Sequence, residues 1–142
     1  MDFTFKSFQG KLPGSVMIAM KDILETYLKN LEAGDAEAIV KLFSEDGIIH
    51  SPLYGDMLAK NFYKDLFADT IRSTITLVNV FQSATNANTA AVHFKYEWTL
   101  RNGTKTNFEA VDIFSFDKLG KIKAMTIIYD TAQTRSAFEK LD

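Results

Sequence analysis

A chain of 142 residues, 46% apolar and 24% charged, is long enough to bury a core of its own without disulfides or a structural metal. The formal net charge is −2 and the 16 Lys and Arg residues are scattered, which argues against nucleic acid or an anionic membrane as partner. The lack of cysteine excludes disulfides and thiol chemistry. The two histidines, His50 and His93, have no metal-ligand spacing, so neither metal nor cofactor is expected.

The N-terminus, MDFTFKSFQGKLPGS, alternates aromatic and polar residues and lacks the apolar stretch of a signal peptide. Residues 1–14 are expected to form an extension, and 15–142 one domain. No run approaches the roughly 18 apolar residues of a membrane span. A soluble, cytoplasmic protein is the expectation.

From Ser15 to about Ala33, Met20, Ile23, Leu24, Tyr27, Leu28 and Leu31 form one helical stripe. Gly34 suits the end of that helix. Asp35 suits the cap of a second, short one that buries Ile39, Val40 and Phe43. Asp46-Gly47 signals a turn, and residues 48–51 a short strand stopped by Pro52. A third helix is expected from about Asp56 to Ala68, with Leu58, Phe62, Tyr63, Leu66 and Phe67 at helical spacing.

Strands are expected over 72–83, 89–100, 105–116 and 121–130, with Asn102-Gly103 as the strongest hairpin signal. A short helix over 131–141 closes the chain. Helices followed by an antiparallel meander make an α+β fold. Large aromatics of one parity, Phe94, Tyr96 and Trp98, then Phe114 and Phe116, point to a curved sheet around a cavity.

One residue breaks the strand pattern. In FEAVDIFSF, 108–116, Asp112 shares a face with Ala110, Phe114 and Phe116. A buried acid persists only when partnered or neutralised. Asp112 therefore points to a pocket, the alternative being an exposed or Lys-paired carboxylate. His50, Glu97, His93 and Glu109 have the opposite parity to the pocket set and are expected outside. Asp130 suits either the pocket mouth or the cap of the last helix.

The order of elements resembles the nuclear transport factor 2-like superfamily, which includes ketosteroid isomerase and the SnoaL-like polyketide cyclases. The carrying stretches are YLKNLEAGDAEAIVKLFSEDG, GDMLAKNFYKDL and AVDIFSFDKLGKIKAM, and the resemblance covers about Ser15 to Asp130. It implies a curved antiparallel sheet wrapped around the N-terminal helices as a cone-shaped pocket, a cystatin-like α+β roll. It also implies a small apolar or carbonyl-bearing ligand and a homodimer through the outer sheet face, which Val111 and Ile113 fit.

Compared with ketosteroid isomerase, the resemblance places the oxyanion-binding pair at Tyr27 and Asp112, a supporting phenol at Tyr63, and pocket aromatics at Phe62 and Tyr129. This isomerase is a standard example of an acid kept neutral by an apolar site. Its catalytic base would precede Pro52, where Ser51 stands. An alcohol does not shuttle a proton as a carboxylate does. Phe94, Tyr96, Trp98 and Phe114 are expected to form wall, with Ser51 beside them.

Two functions follow. One is an isomerase, cyclase or hydratase acting on an apolar carbonyl substrate through an enolate, with Asp112 and Tyr27 as oxyanion donors or Asp112 as base. The other is a ligand-binding or protein-interaction module of the same fold without chemistry. An epoxide-opening branch uses an Asp-Arg-Asp set. The candidate arginines here, Arg72 and Arg101, lie near strand ends, which ranks that reading lower.

Overall fold

The computed structural model describes residues 13–141, with side chains from residue 19 onward. The extension expected over 1–14 thus lies, up to residue 12, outside the described residues. Helix α1 runs Pro13–Ala33 and buries Met20, Leu24, Tyr27, Leu28 and Leu31, the stripe expected from spacing. Gly34 ends it at φ 70°, a conformation that costs glycine little. Gly34 N–H then donates to Leu31 O and Asp35 N–H to Asn30 O, so two of the last carbonyls are satisfied. The Asp35 carboxylate in turn accepts from Ala38 N–H and opens α2, Ala36–Val40.

Helix α2 is shorter than its expected reach to Phe43, because Phe43 already belongs to β1, Phe43–Ser51. The expected turn at Asp46-Gly47 is a bulge within β1. Phe43 opposes Ile122 and Ile48 opposes Ala124, so the intervening residues loop out. Gly47 fits there because a Cβ would stand 3.0 Å from Ser44 O and 3.1 Å from Ile122 O.

Strand β2, Gly55–Leu58, folds back antiparallel on β1, with His50 opposite Asp56. The third helix, α3, is therefore Ala59–Ala68 and starts later than expected from Asp56. The remaining elements are β3 Thr70–Gln82, β4 Thr89–Leu100, β5 Lys105–Phe116, β6 Ile122–Ile128 and α4 Ala132–Phe138, with a 3-10 turn over Glu139–Leu141. Gly103, at φ 87°, makes the β4–β5 turn.

The six strands form one sheet in the order β2-β1-β6-β5-β4-β3. Every neighbouring pair is antiparallel except β1 and β6, which run parallel. The sheet expected to be antiparallel throughout thus carries one parallel seam. It joins the first strand to the last, where a hairpin cannot reach.

Alternation then sorts the faces. On β4, Ala90, Val92, Phe94, Tyr96, Trp98 and Leu100 are buried; on β5, Thr106, Ala110, Asp112, Phe114 and Phe116 are buried. The helices cover this inner face, with α1 against β3, α3 against β1, and α4 against β5. The fold is the α+β cone expected from the sequence, a curved sheet closed by helices.

Candidate functional site

Residues from α1, α3, four strands and two loops converge on a small cavity of about 40 Å³. Tyr27, Ser51, Phe62, Phe94, Tyr96, Trp98, Asp112 and Tyr129 all line it. Register explains the convergence: Phe94 faces Ala110, Val92 faces Asp112, and Asp112 faces Ile127. Asp112 is held between two inner strands in a row of apolar neighbours.

Asp112 is 2% exposed, and its Oδ1 has no hydrogen-bond partner. Burial holds the carboxyl well above the ordinary carboxylate range. Tyr27 and Tyr63 sit within reach of its charge; burial raises both phenols, and a negative Asp112 would raise them further. The Tyr27 and Tyr63 hydroxyls are 2.7 Å apart. Tyr27 also packs edge-on against Phe114, with ring centroids 5.1 Å apart.

Tyr63 and Phe114, expected as pocket residues, stand behind the wall. Tyr63 is fully buried in the core, its hydroxyl 3.9 Å from Met125 Sδ, and does not line the cavity. Phe114 backs Tyr27. The helical face decides this: Phe62 turns to the cavity, and the adjacent Tyr63 turns to α1 and Phe43.

The other polar wall groups bond to protein. Tyr96 hydroxyl pairs with Ser73 Oγ at 2.7 Å, and Trp98 Nε1–H donates to Thr70 Oγ1 at 2.8 Å. The Thr134 side chain lies near the Tyr129 hydroxyl, and burial raises that phenol. Its ring stacks on Phe108, centroids 4.1 Å apart, and Phe108 stacks on Tyr96 at 4.9 Å. The three rings form one face-to-face stack.

Ser51 Oγ accepts from Leu53 N–H at 3.1 Å and Tyr54 N–H at 2.9 Å, pinning the loop after Pro52. Arg135 Nη2 on α4 donates to Pro52 O at 2.7 Å, and the Tyr54 hydroxyl donates to Asp69 at 2.7 Å. Burial chiefly, and Asp69 after it, raise the Tyr54 phenol. Phe138 on α4 packs against Tyr54 and Trp98. One wall of the cavity is thus fastened by α4.

Sequence reasoning missed Tyr54, Leu31, Leu53, Leu66, Phe108 and Ile127, which also line the cavity. Phe108 has the parity of Asp112, and Leu31 lies on the stripe of Tyr27, so alternation contained both. Tyr54 lies in a loop, where no periodicity marks a face.

The groups expected outside lie there. His50 bonds Asp56 at 2.9 Å, and His93 bridges Asn79 and Glu109 on the outer sheet face. Asp130 Oδ1 accepts from Ala132 N–H at 3.0 Å at the start of α4. Among the described residues no group of three or more His, Asp or Glu gathers to hold a metal. None of their helices is long and apolar enough to cross a membrane.

Neither Arg72 nor Arg101 lines the cavity; Arg101 Nε donates to Asp69 at 3.2 Å. The cavity therefore offers one unpartnered acid, one phenol beside it, and an aromatic wall. That set can donate hydrogen bonds to an oxygen inside an apolar enclosure.

Comparison with known proteins agrees with this architecture. SalBIII, an epoxide hydrolase/cyclase-like enzyme in pyran ring formation of the polyether salinomycin, superposes with a TM-score of 0.69 at 22% identity, covering 80% of this chain and 92% of that one. A candidate polyketide cyclase from Pseudomonas putida gives 0.68 at 23% identity, with 80% and 93% covered. AclR, a candidate hydroxylase from Streptomyces galilaeus, gives 0.70 at 13% identity, with 89% and 99% covered. At these identities the likeness is one of fold. The model of the SnoaL-like domain matches residues 24–125, most of the chain, from the α1 stripe to the strand facing Asp112. The chain belongs to the SnoaL-like domain family, within the nuclear transport factor 2-like superfamily.

Proposed function

We propose that this protein binds a small, largely apolar carbonyl compound in its cavity, with protonated Asp112 and Tyr27 donating hydrogen bonds to the carbonyl oxygen. The observation that carries the reading is the unpartnered Asp112 Oδ1, enclosed at 2% exposure in an apolar wall. A neutral carboxyl there has a proton to give, and a ligand oxygen satisfies it. When Tyr63 donates to Tyr27, the Tyr27 proton is free for the same oxygen.

Donors of this kind stabilise charge that develops on a carbonyl oxygen as an enolate forms. Isomerisation, cyclisation and hydration through an enolate all draw on that stabilisation. Asp112 is the one carboxylate among the described residues that line the cavity, and the resemblance to ketosteroid isomerase puts Ser51 at the position of its base. That observation favours a second reading, binding without turnover. In both, Asp112 and Tyr27 hold the ligand. Epoxide opening by an Asp-Arg-Asp set is not supported, since no arginine is among the described residues that line the cavity.

A cavity of about 40 Å³ has room for a few waters, against roughly 300–1,000 Å³ in ordinary ligand sites. A larger ligand requires movement of the loop after Pro52 and of α4. We also propose a homodimer through the outer sheet face. Phe81 and Ile128 there are 50% and 51% exposed, beside Val111 and Ile113.

The protonated state of Asp112 has a stability signature. In the unfolded chain its carboxyl titrates near pH ~4; in the fold the value is higher. Below both values each state is protonated and pH has no effect. Above pH ~4 only the unfolded chain releases the proton, so stability falls by at most about 1.4 kcal/mol per pH unit until the folded value is passed. Asp112→Asn removes this term. The melting temperature of the variant minus that of the unaltered protein should rise from pH 4 to 7, and a difference flat with pH would sink the neutral-acid reading.

Phenols mimic an enolate. They should bind at millimolar concentration or below in NMR titrations, more tightly with increasing acidity, and Asp112→Asn should change that slope. Absence of binding counts against the site. Ser51→Asp restores a carboxylate and can still accept the Leu53 and Tyr54 N–H bonds. Ketosteroid isomerisation above background in this variant supports a site lacking only its base; a folded, steroid-binding but inert variant supports binding alone. Sedimentation velocity at micromolar concentration should give the mass of a dimer, and a monomer removes the outer-face proposal.

A further inference from the structure

We propose that the cavity selects flat, monocyclic ligands that carry a single oxygen function, received at Asp112 and Tyr27, and discriminates against a second polar group elsewhere on the ring. The proposal rests on the reading of Asp112 as a hydrogen-bond donor and adds to it a substrate class.

The reason is how the wall spends its polar groups. Half of the 14 lining residues have no polar side-chain atom. The other half look capable of contacting a polyhydroxylated ligand. Yet Tyr54, Tyr96 and Trp98 each bond their polar atom to a residue outside the cavity lining, namely Asp69, Ser73 and Thr70. These aromatics therefore present ring to the cavity while their polar tips are engaged elsewhere.

Ser51 Oγ already accepts two backbone N–H bonds in a part-buried loop. Among the fully buried wall groups, uncommitted capacity is concentrated at Asp112 Oδ1, and the adjoining Tyr27 hydroxyl, 2.7 Å from Tyr63, joins it when Tyr63 donates. A ligand oxygen placed there is satisfied. A second one must break a wall bond or go without, and either costs affinity.

Shape adds the rest of the class. The rings of Tyr96, Phe108 and Tyr129 stack face to face, inclined by 29° and 22° from one to the next, and a flat ligand ring can extend that stack only at an end. The small volume favours one ring over several, and even one ring requires the loop after Pro52 to move.

The test uses an isosteric pair, 3-methylphenol and resorcinol, which differ only by methyl against hydroxyl. In NMR titrations of the full chain, 3-methylphenol should bind tenfold or more tightly than resorcinol. Ser73→Ala, which frees the Tyr96 hydroxyl, should cut that ratio severalfold by improving resorcinol alone. Equal affinities in the unaltered protein, or a ratio that Ser73→Ala does not move, overturn the single-oxygen rule. In that case, weakening of both ligands by Asp112→Asn shows that the Asp112 site itself still stands. Failure of both ligands to bind at millimolar concentration removes that site and the selectivity together.

Discussion

The burial of one uncompensated carboxyl governs this structure. Asp112 sits mid-strand between two hydrogen-bonded neighbours, so it cannot swing out without breaking the inner ladder. An ionised group in that position would cost several kcal/mol, and the fold lowers the cost by keeping it neutral. Core aromatics such as Phe94 and Phe114 supply the burial that outweighs what remains. The site exists because the sheet tolerates an acid that packing alone would reject.

Much of this arrangement follows from alternation. Residues 89–100 and 105–116 obey period two so strictly that the inward row could be read directly, Asp112 included. The α1 stripe and its Gly34-Asp35 ending were equally plain, because glycine and aspartate each meet a specific backbone need there. The family resemblance and the solved folds agree with that reading of the architecture.

What escaped the sequence has physical causes. Strand β2 has four residues, GDML, with no alternation to betray it, and only β1 beside it makes it a strand. Phe43 fits a helical stripe as well as a strand end, and tertiary pairing with Ile122 decides. Tyr63 and Phe62 are adjacent, and helical geometry sends one to the cavity and the other to the core. Tyr54 is fixed by Asp69 and by a helix some eighty residues later in the chain, contacts that no local pattern encodes.

The parallel seam between β1 and β6 has a consequence for how the chain is assembled. β1 has only the four-residue β2 as a local partner, and its main neighbour arrives more than seventy residues later. Such distant pairing carries a large loop-closure cost and belongs to the slow part of folding. During synthesis the β3–β4–β5 meander can form from the ribosome outward, while β1 waits for the last strand. The enclosure around Asp112 is complete only when the last strand has closed on β1, so its walls depend on the most distant pairing in the sheet.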